Sequence, residues 1–121
     1  MPAEPSSGSL TVHVLDTALG RPAAGMKLSL FRIDNVVRSQ LGAWNTNADG
    51  RCDAPLLAGA ALTPGSYEIV FNVGAWRETA GSVDAGFYDL IPIRFRVTDP
   101  AAHYHIPLLL SPYGYSTYRG S

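Results

Sequence analysis

Hydrophobic and polar residues alternate with a period of two along most of this chain, so strands dominate the expectation. Leu10 to Asp16 (LTVHVLD) puts Leu10, Val12 and Val14 on one face and Thr11, His13 and Leu15 on the other. Met26 to Ile33 repeats the pattern with Met26, Leu28 and Leu30. Tyr67, Ile69, Phe71 and Val73 share a face in YEIVFNV, the strongest strand in the middle of the chain. In LIPIRFRV, Ile91, Ile93, Phe95 and Val97 turn inward and Arg94 and Arg96 outward. Pro92 gives no ladder hydrogen bond and points to an edge strand or a bulge. His103 to Leu110 places Tyr104, Ile106, Leu108 and Leu110 on the core side, with His103 and His105 together on the other. Pro107 predicts a local irregularity in that strand.

Turn chemistry separates these runs. The segment TALGRPAAG is an irregular loop, Pro64-Gly65 is a turn, and Ser111-Pro112-Tyr113-Gly114 bends the last strand back into Tyr115–Arg119. Asp49-Gly50 predicts a hairpin between LGAWNTN and a return strand begun by Arg51-Cys52-Asp53. The period of two breaks at GAWRETAGSV, where residues 75–80 fit a short helix with Gly81 at its C-cap position. Seven or eight short strands with turns every ten or so residues, plus one short helix, predict an all-β fold: a two-sheet antiparallel β-sandwich.

Size and charge narrow the possibilities. With 121 residues, residues 10–121 are expected to form a single domain. Residues 1–9 (MPAEPSSGS) read as a disordered leader, since they lack the basic and apolar regions of a signal peptide. A formal net charge of −1 gives no electrostatic case for a nucleic acid or a membrane partner. No apolar run approaches a membrane span. The single cysteine, Cys52, excludes an internal disulfide and suits a reducing, cytoplasmic location.

Candidate chemistry sits on the faces turned away from the core. His13, His103 and His105 all lie on strands; any one alone is most simply a surface histidine, but two on one face raise the case for proton transfer near neutral pH. Arg51 is either a solvated hairpin arginine or a fixed fork for an oxygen-rich ligand or a developing anion, and Arg119 has the same two readings. Tyr118 is either ordinary strand composition or a hydroxyl that orients a ligand. The pair His103/His105, with His13 as a third ligand, also fits a weak three-histidine zinc signal. Cys52 is best read as a small hydrophobe. Asp16, Asp49 and Asp53 fit turns and strand ends. No nucleophile elbow, P-loop or dinucleotide fingerprint is present.

The segments LTVHVLDTALGRPAAGMKLSLF, TNADGRCD, GSYEIVFNVGAWRETAG and YHIPLLLSPYGYSTYRGS together resemble the transthyretin family. The closing Tyr118-Arg119-Gly120-Ser121 resembles its 5-hydroxyisourate hydrolase branch, as do His13, His105 and Arg51 at their positions. The resemblance implies hydrolytic opening of 5-hydroxyisourate to 2-oxo-4-hydroxy-4-carboxy-5-ureidoimidazoline in urate degradation. It implies a homotetramer, a dimer of dimers joined by edge strands, with sites in a channel. No cofactor or metal is implied. His13, His105 and Arg51 would be catalytic, His13, Arg51, Tyr118 and Ser121 would bind substrate, and His103 and Arg119 would support them. Which of His13 and His105 is the base stays open. A carrier without catalysis is the competing expectation. It predicts apolar or small residues in place of the histidines and Arg51, which this sequence lacks.

Overall fold

The structure, a computed structural model, describes residues 7–80 and 86–121. Nine strands and one α-helix are found among them: β1 (Ser9–Asp16), β2 (Arg21–Pro22), β3 (Lys27–Asp34), β4 (Val37–Asn45), β5 (Leu57–Ala58), β6 (Gly65–Asn72), α1 (Val73–Thr79), β7 (Leu90–Val97), β8 (His103–Leu110) and β9 (Tyr115–Thr117). One sheet runs β2-β1-β8-β9, with β5 also paired to β1; the other runs β4-β3-β6-β7. The two short strands β2 and β5, of two residues each, account for the excess over the expected seven or eight.

The alternation seen in the sequence is the core. Leu10, Val12, Val14, Tyr104, Ile106, Leu108 and Leu110 from one sheet face Leu28, Leu30, Tyr67, Ile69, Phe71, Ile91 and Val97 from the other, all buried. On the outer face of the second sheet one carboxylate is also buried. Glu68 accepts hydrogen bonds from Arg38 and Arg94, each 2.7 Å long. Burial alone would raise its pKa, but the two arginines outweigh that and hold it below the usual carboxylate value.

One pairing departs from the antiparallel expectation. β1 and β8 lie parallel, in register over eight pairs from Ser9↔His103 to Asp16↔Leu110. Alternation reports which face is buried and is blind to strand direction; only the long crossover between the two strands reveals it. Pro92 does fall on an edge strand, β7. Pro107 interrupts the sheet on one side only. Its pairing with β1 is continuous, whereas the β9 ladder stops at Leu108↔Thr117 and resumes in the same register at His105↔Gly120. The missing N–H falls at the interruption.

The segment around Asp49-Gly50 is a turn but not a hairpin. Asn47 Oδ1 accepts from the backbone N–H groups of Asp49 and Arg51, closing a side-chain-held turn. Gly50, at φ 74°, packs against β1 and its carbonyl accepts from the Val14 N–H at 2.8 Å. A Cβ at Gly50 would lie 2.3 Å from the Val14 carbonyl oxygen. Arg51-Cys52-Asp53 therefore begins no return strand; the chain crosses to the other sheet and pairs briefly as β5. The helix begins two residues earlier than expected and caps at Ala80. Gly81 lies outside the described residues, as do most of the expected leader residues, 1–6; Gly8 is buried and Ser9 opens β1.

Phe71 is fully buried between the sheets. Phe71→Ala is expected to lower unfolding stability by about 3–5 kcal/mol in chemical denaturation.

Candidate active site

The parallel register of β1 and β8 builds the site. Residues paired across it project from the same face, so the outward row Ser9, Thr11, His13 stands beside His103, His105 and Pro107. Ser9 Oγ lies 2.7 Å from Nδ1 of His103, and Thr11 Oγ1 lies 2.8 Å from Nδ1 of His105. His13 sits diagonally from His105, with ring centroids 6.4 Å apart and planes tilted by 38°. The Asp49 backbone beside His13 favours its protonated form. The turn docked on Val14 brings Arg51 to the same place.

Burial and nearby charge both favour the neutral imidazoles. Partial burial, then the Arg51 charge, hold His13 below 6.5, against the opposing pull of Asp49. Partial burial, then Arg51, then His13 do the same for His105. A neutral imidazole near a guanidinium can serve as a base beside an anion stabiliser. A cleft of about 150 Å³ lined by Thr11, Arg51 and Cys52 adjoins them. Cys52 is no activated nucleophile, since burial and then Asp53 push its thiol up.

The last residues reach this face through the β8–β9 turn. Gly120 N–H donates to the His105 carbonyl at 2.8 Å, which places Ser121 one residue beyond the pair. A Cβ on Gly120 would lie 2.6 Å from Cδ2 of His105, so the ring edge needs a glycine there. Arg119 Nη2 donates to the His103 carbonyl at 3.1 Å, and its guanidinium stands 4.4 Å over the Tyr104 ring. Arg119 and His103 thus tie the tail to β8.

Tyr118 lies elsewhere within the chain. It lines a groove of about 340 Å³ with Ile93, Phe95, Tyr104, Ile106 and Arg119, and is 60% exposed. This groove is larger than the Thr11–Arg51 cleft, and no imidazole lines either, but the cleft lies beside the His13–His105 face while the groove runs between the open edges of β7 and β9. The histidine face is therefore the better candidate for chemistry. The three-histidine zinc arrangement is not assembled: among the described residues no three histidine, cysteine, aspartate or glutamate side chains come together as ligands.

The sequence reading missed Ser9, Thr11, Asn47 and Gly120. A hydroxyl at every outward position before His13 was the available signal, but it acquires meaning only when the β1–β8 register is known.

A family model described as "HIUase/Transthyretin family" matches residues 10–120, and the chain belongs to that family. It is 54% identical over 117 residues to 5-hydroxyisourate hydrolase 2 of Rhizobium meliloti (strain 1021), covering 95% of this chain and 98% of that one. The fold matches the structure of Klebsiella pneumoniae 5-hydroxyisourate hydrolase with a TM-score of 0.80 and 37% identity, over 94% of this chain and 99% of that one. It also matches (S)-allantoin synthase, with a TM-score of 0.89 and 42% identity. There it covers 98% of this chain but 46% of the other, so this chain spans about half of that longer one.

Gly120→Ala is expected to displace the His105 ring or the tail and to lower kcat/KM on the order of 10²-fold, as misplacement of a reacting group by about 1 Å does. Thermal unfolding should stay close to that of the parent, because Gly120 lies outside the core cluster.

Proposed function

We infer that this chain is a hydrolase that opens the six-membered ring of 5-hydroxyisourate at a cyclic amide, in urate degradation. The observation that carries this reading is the neutral His13–His105 pair beside Arg51 on one sheet face, in a chain so similar to 5-hydroxyisourate hydrolases. The carrier reading has no counterpart to that pair.

Water is a poor nucleophile at neutral pH, so the step needs a positioned base. His105, acting with His13, takes a proton from water as its oxygen bonds to the ring carbonyl carbon. The carbonyl oxygen gathers negative charge, which Arg51 offsets. The ring C–N bond then breaks, the proton passes to the departing nitrogen, and the other product group is a carboxylate. Positioned proton transfer of this kind is worth roughly 10²–10⁴-fold. Ser121 contributes to substrate binding from the tail, with His103 and Arg119 supporting it. No metal or cofactor is needed for these steps.

Assembly completes the site in this reading. β7 and β9 are the open edges on one side of the sandwich, flanking the groove that holds Tyr118. Exposed Phe87, Tyr113 and Tyr115 add aromatic surface there and at the β8–β9 turn. Edge pairing of this kind would build dimers, and two dimers would form a homotetramer whose channel walls are the histidine faces. Tyr118 would then contact substrate bound in the assembled channel. The single domain of residues 10–121 would act in the cytoplasm, which the lone Cys52 favours. Among the described residues no helix is long and apolar enough to cross a membrane.

His13→Ala and His105→Ala are each expected to lower kcat on freshly generated 5-hydroxyisourate by roughly 10²-fold or more, followed as decay of its ultraviolet band. Near-normal rates in both would remove the mechanism. For the parent, the pH profile of kcat/KM should rise with a midpoint below 6.5 and level off near neutrality, because both imidazoles are held below their ordinary value and must be unprotonated to act. Arg51→Gln should move that midpoint upward while lowering the plateau, since the Arg51 charge helps to depress both histidines.

A further inference from the structure

The two histidines of the pair have different kinds of neighbour. Beside His13 lies main chain, the Asp49 backbone, which favours the protonated ring. His105 meets a hydroxyl, which both donates and accepts. Its tautomer is therefore a side-chain property, and Thr11 is the side chain that sets it.

We propose that Thr11 is a positioning residue for the hydrolytic reaction: its hydroxyl accepts the Nδ1–H of neutral His105 and so leaves the lone pair on Nε2, the nitrogen that takes the proton from water. The inference deepens the functional reading above and rests on it. Three observations support it. Thr11 and His105 are register partners in a ladder with no shift, so the 2.8 Å contact is dictated by backbone pairing. The opposite edge of the ring, at Cδ2, is backed by Gly120, so the imidazole is held from both sides in one orientation. The contact is partly buried, which limits competition from water for Nδ1.

A histidine without a partner prefers the other neutral tautomer, with hydrogen on Nε2, which cannot act as a base through that atom. The Thr11 oxygen reverses the preference by offering an acceptor to Nδ1. Valine has nearly the same shape and a high strand propensity, so Thr11→Val removes the acceptor and leaves the strand. Thr11→Ser keeps the oxygen and loses only a methyl group.

The test pairs kinetics with nitrogen-15 NMR of the His105 ring in the full-length protein. In the parent, His105 should carry hydrogen on Nδ1 at neutral pH. In Thr11→Val it should shift toward the Nε2–H form, with kcat lowered on the order of 10- to 10²-fold, within the worth of a positioned base, and KM little changed. Thr11→Ser should recover both the tautomer and most of the rate. A parent His105 with hydrogen on Nε2 would overturn the proposal. So would a Thr11→Val variant that keeps both tautomer and kcat, or a Thr11→Ser variant no better than Thr11→Val. The spectrum is read without turnover, so a parent protein inactive on 5-hydroxyisourate would defeat the reaction while Thr11's hold on the tautomer is still decided by the ring nitrogens.

Discussion

The parallel pairing of β1 with β8 is the constraint on which the rest of the molecule depends. It joins two strands separated by most of the sequence, and everything between them must fold into a crossover that returns in the right place. On its inner face the pair supplies seven of the buried core residues. On its outer face it sets three histidines and two hydroxyls in a grid whose spacing is fixed by backbone hydrogen bonds. The strand pair that holds up the sandwich therefore also positions the three histidines, and sites built on such rigid elements hold tighter geometry than sites built on loops.

Arg51 shows how a loop can share that precision. The far edge of β1 has three successive occupants: β5 opposite Ser9 and Leu10, the Asn47-held turn opposite Val14, and β2 opposite Leu15 and Asp16. The turn behaves as part of the sheet edge because Gly50 bonds to it directly. The Arg51 backbone inherits a fixed place beside β1 from that contact, although it belongs to a segment with no regular structure. The Arg51 charge adds to burial in lowering the pKa of both imidazoles.

Much of this was legible beforehand. The period of two identified the buried faces of β1, β3, β6, β7 and β8, and so placed the histidines on outward faces. Fold class and reaction class followed from segments spread along the chain. Strand direction was not legible, since alternation is the same for parallel and antiparallel neighbours. That single gap hid Ser9 and Thr11, whose roles exist only through their register partners. The Asp-Gly signal misled for a related reason: a dipeptide encodes a local turn, whereas the partner of the segment that follows is chosen by the whole sheet. Gly120 was inside a recognised motif, yet its requirement comes from contact with His105, a residue outside it.

Pro107 has a consequence for how this protein would be assayed. By withholding one N–H it divides the β8–β9 ladder into two unequal parts. The longer part belongs to the sheet. The shorter part, the Gly120 bridge with the Arg119 contact, fastens the last residues to the histidine face, and every residue from 118 to 121 lies outside the core cluster. Core packing and tail docking are therefore separate features of this chain. A melting curve reports on the sandwich, whose core cluster holds none of the tail residues, and is a poor gauge of whether the tail is docked.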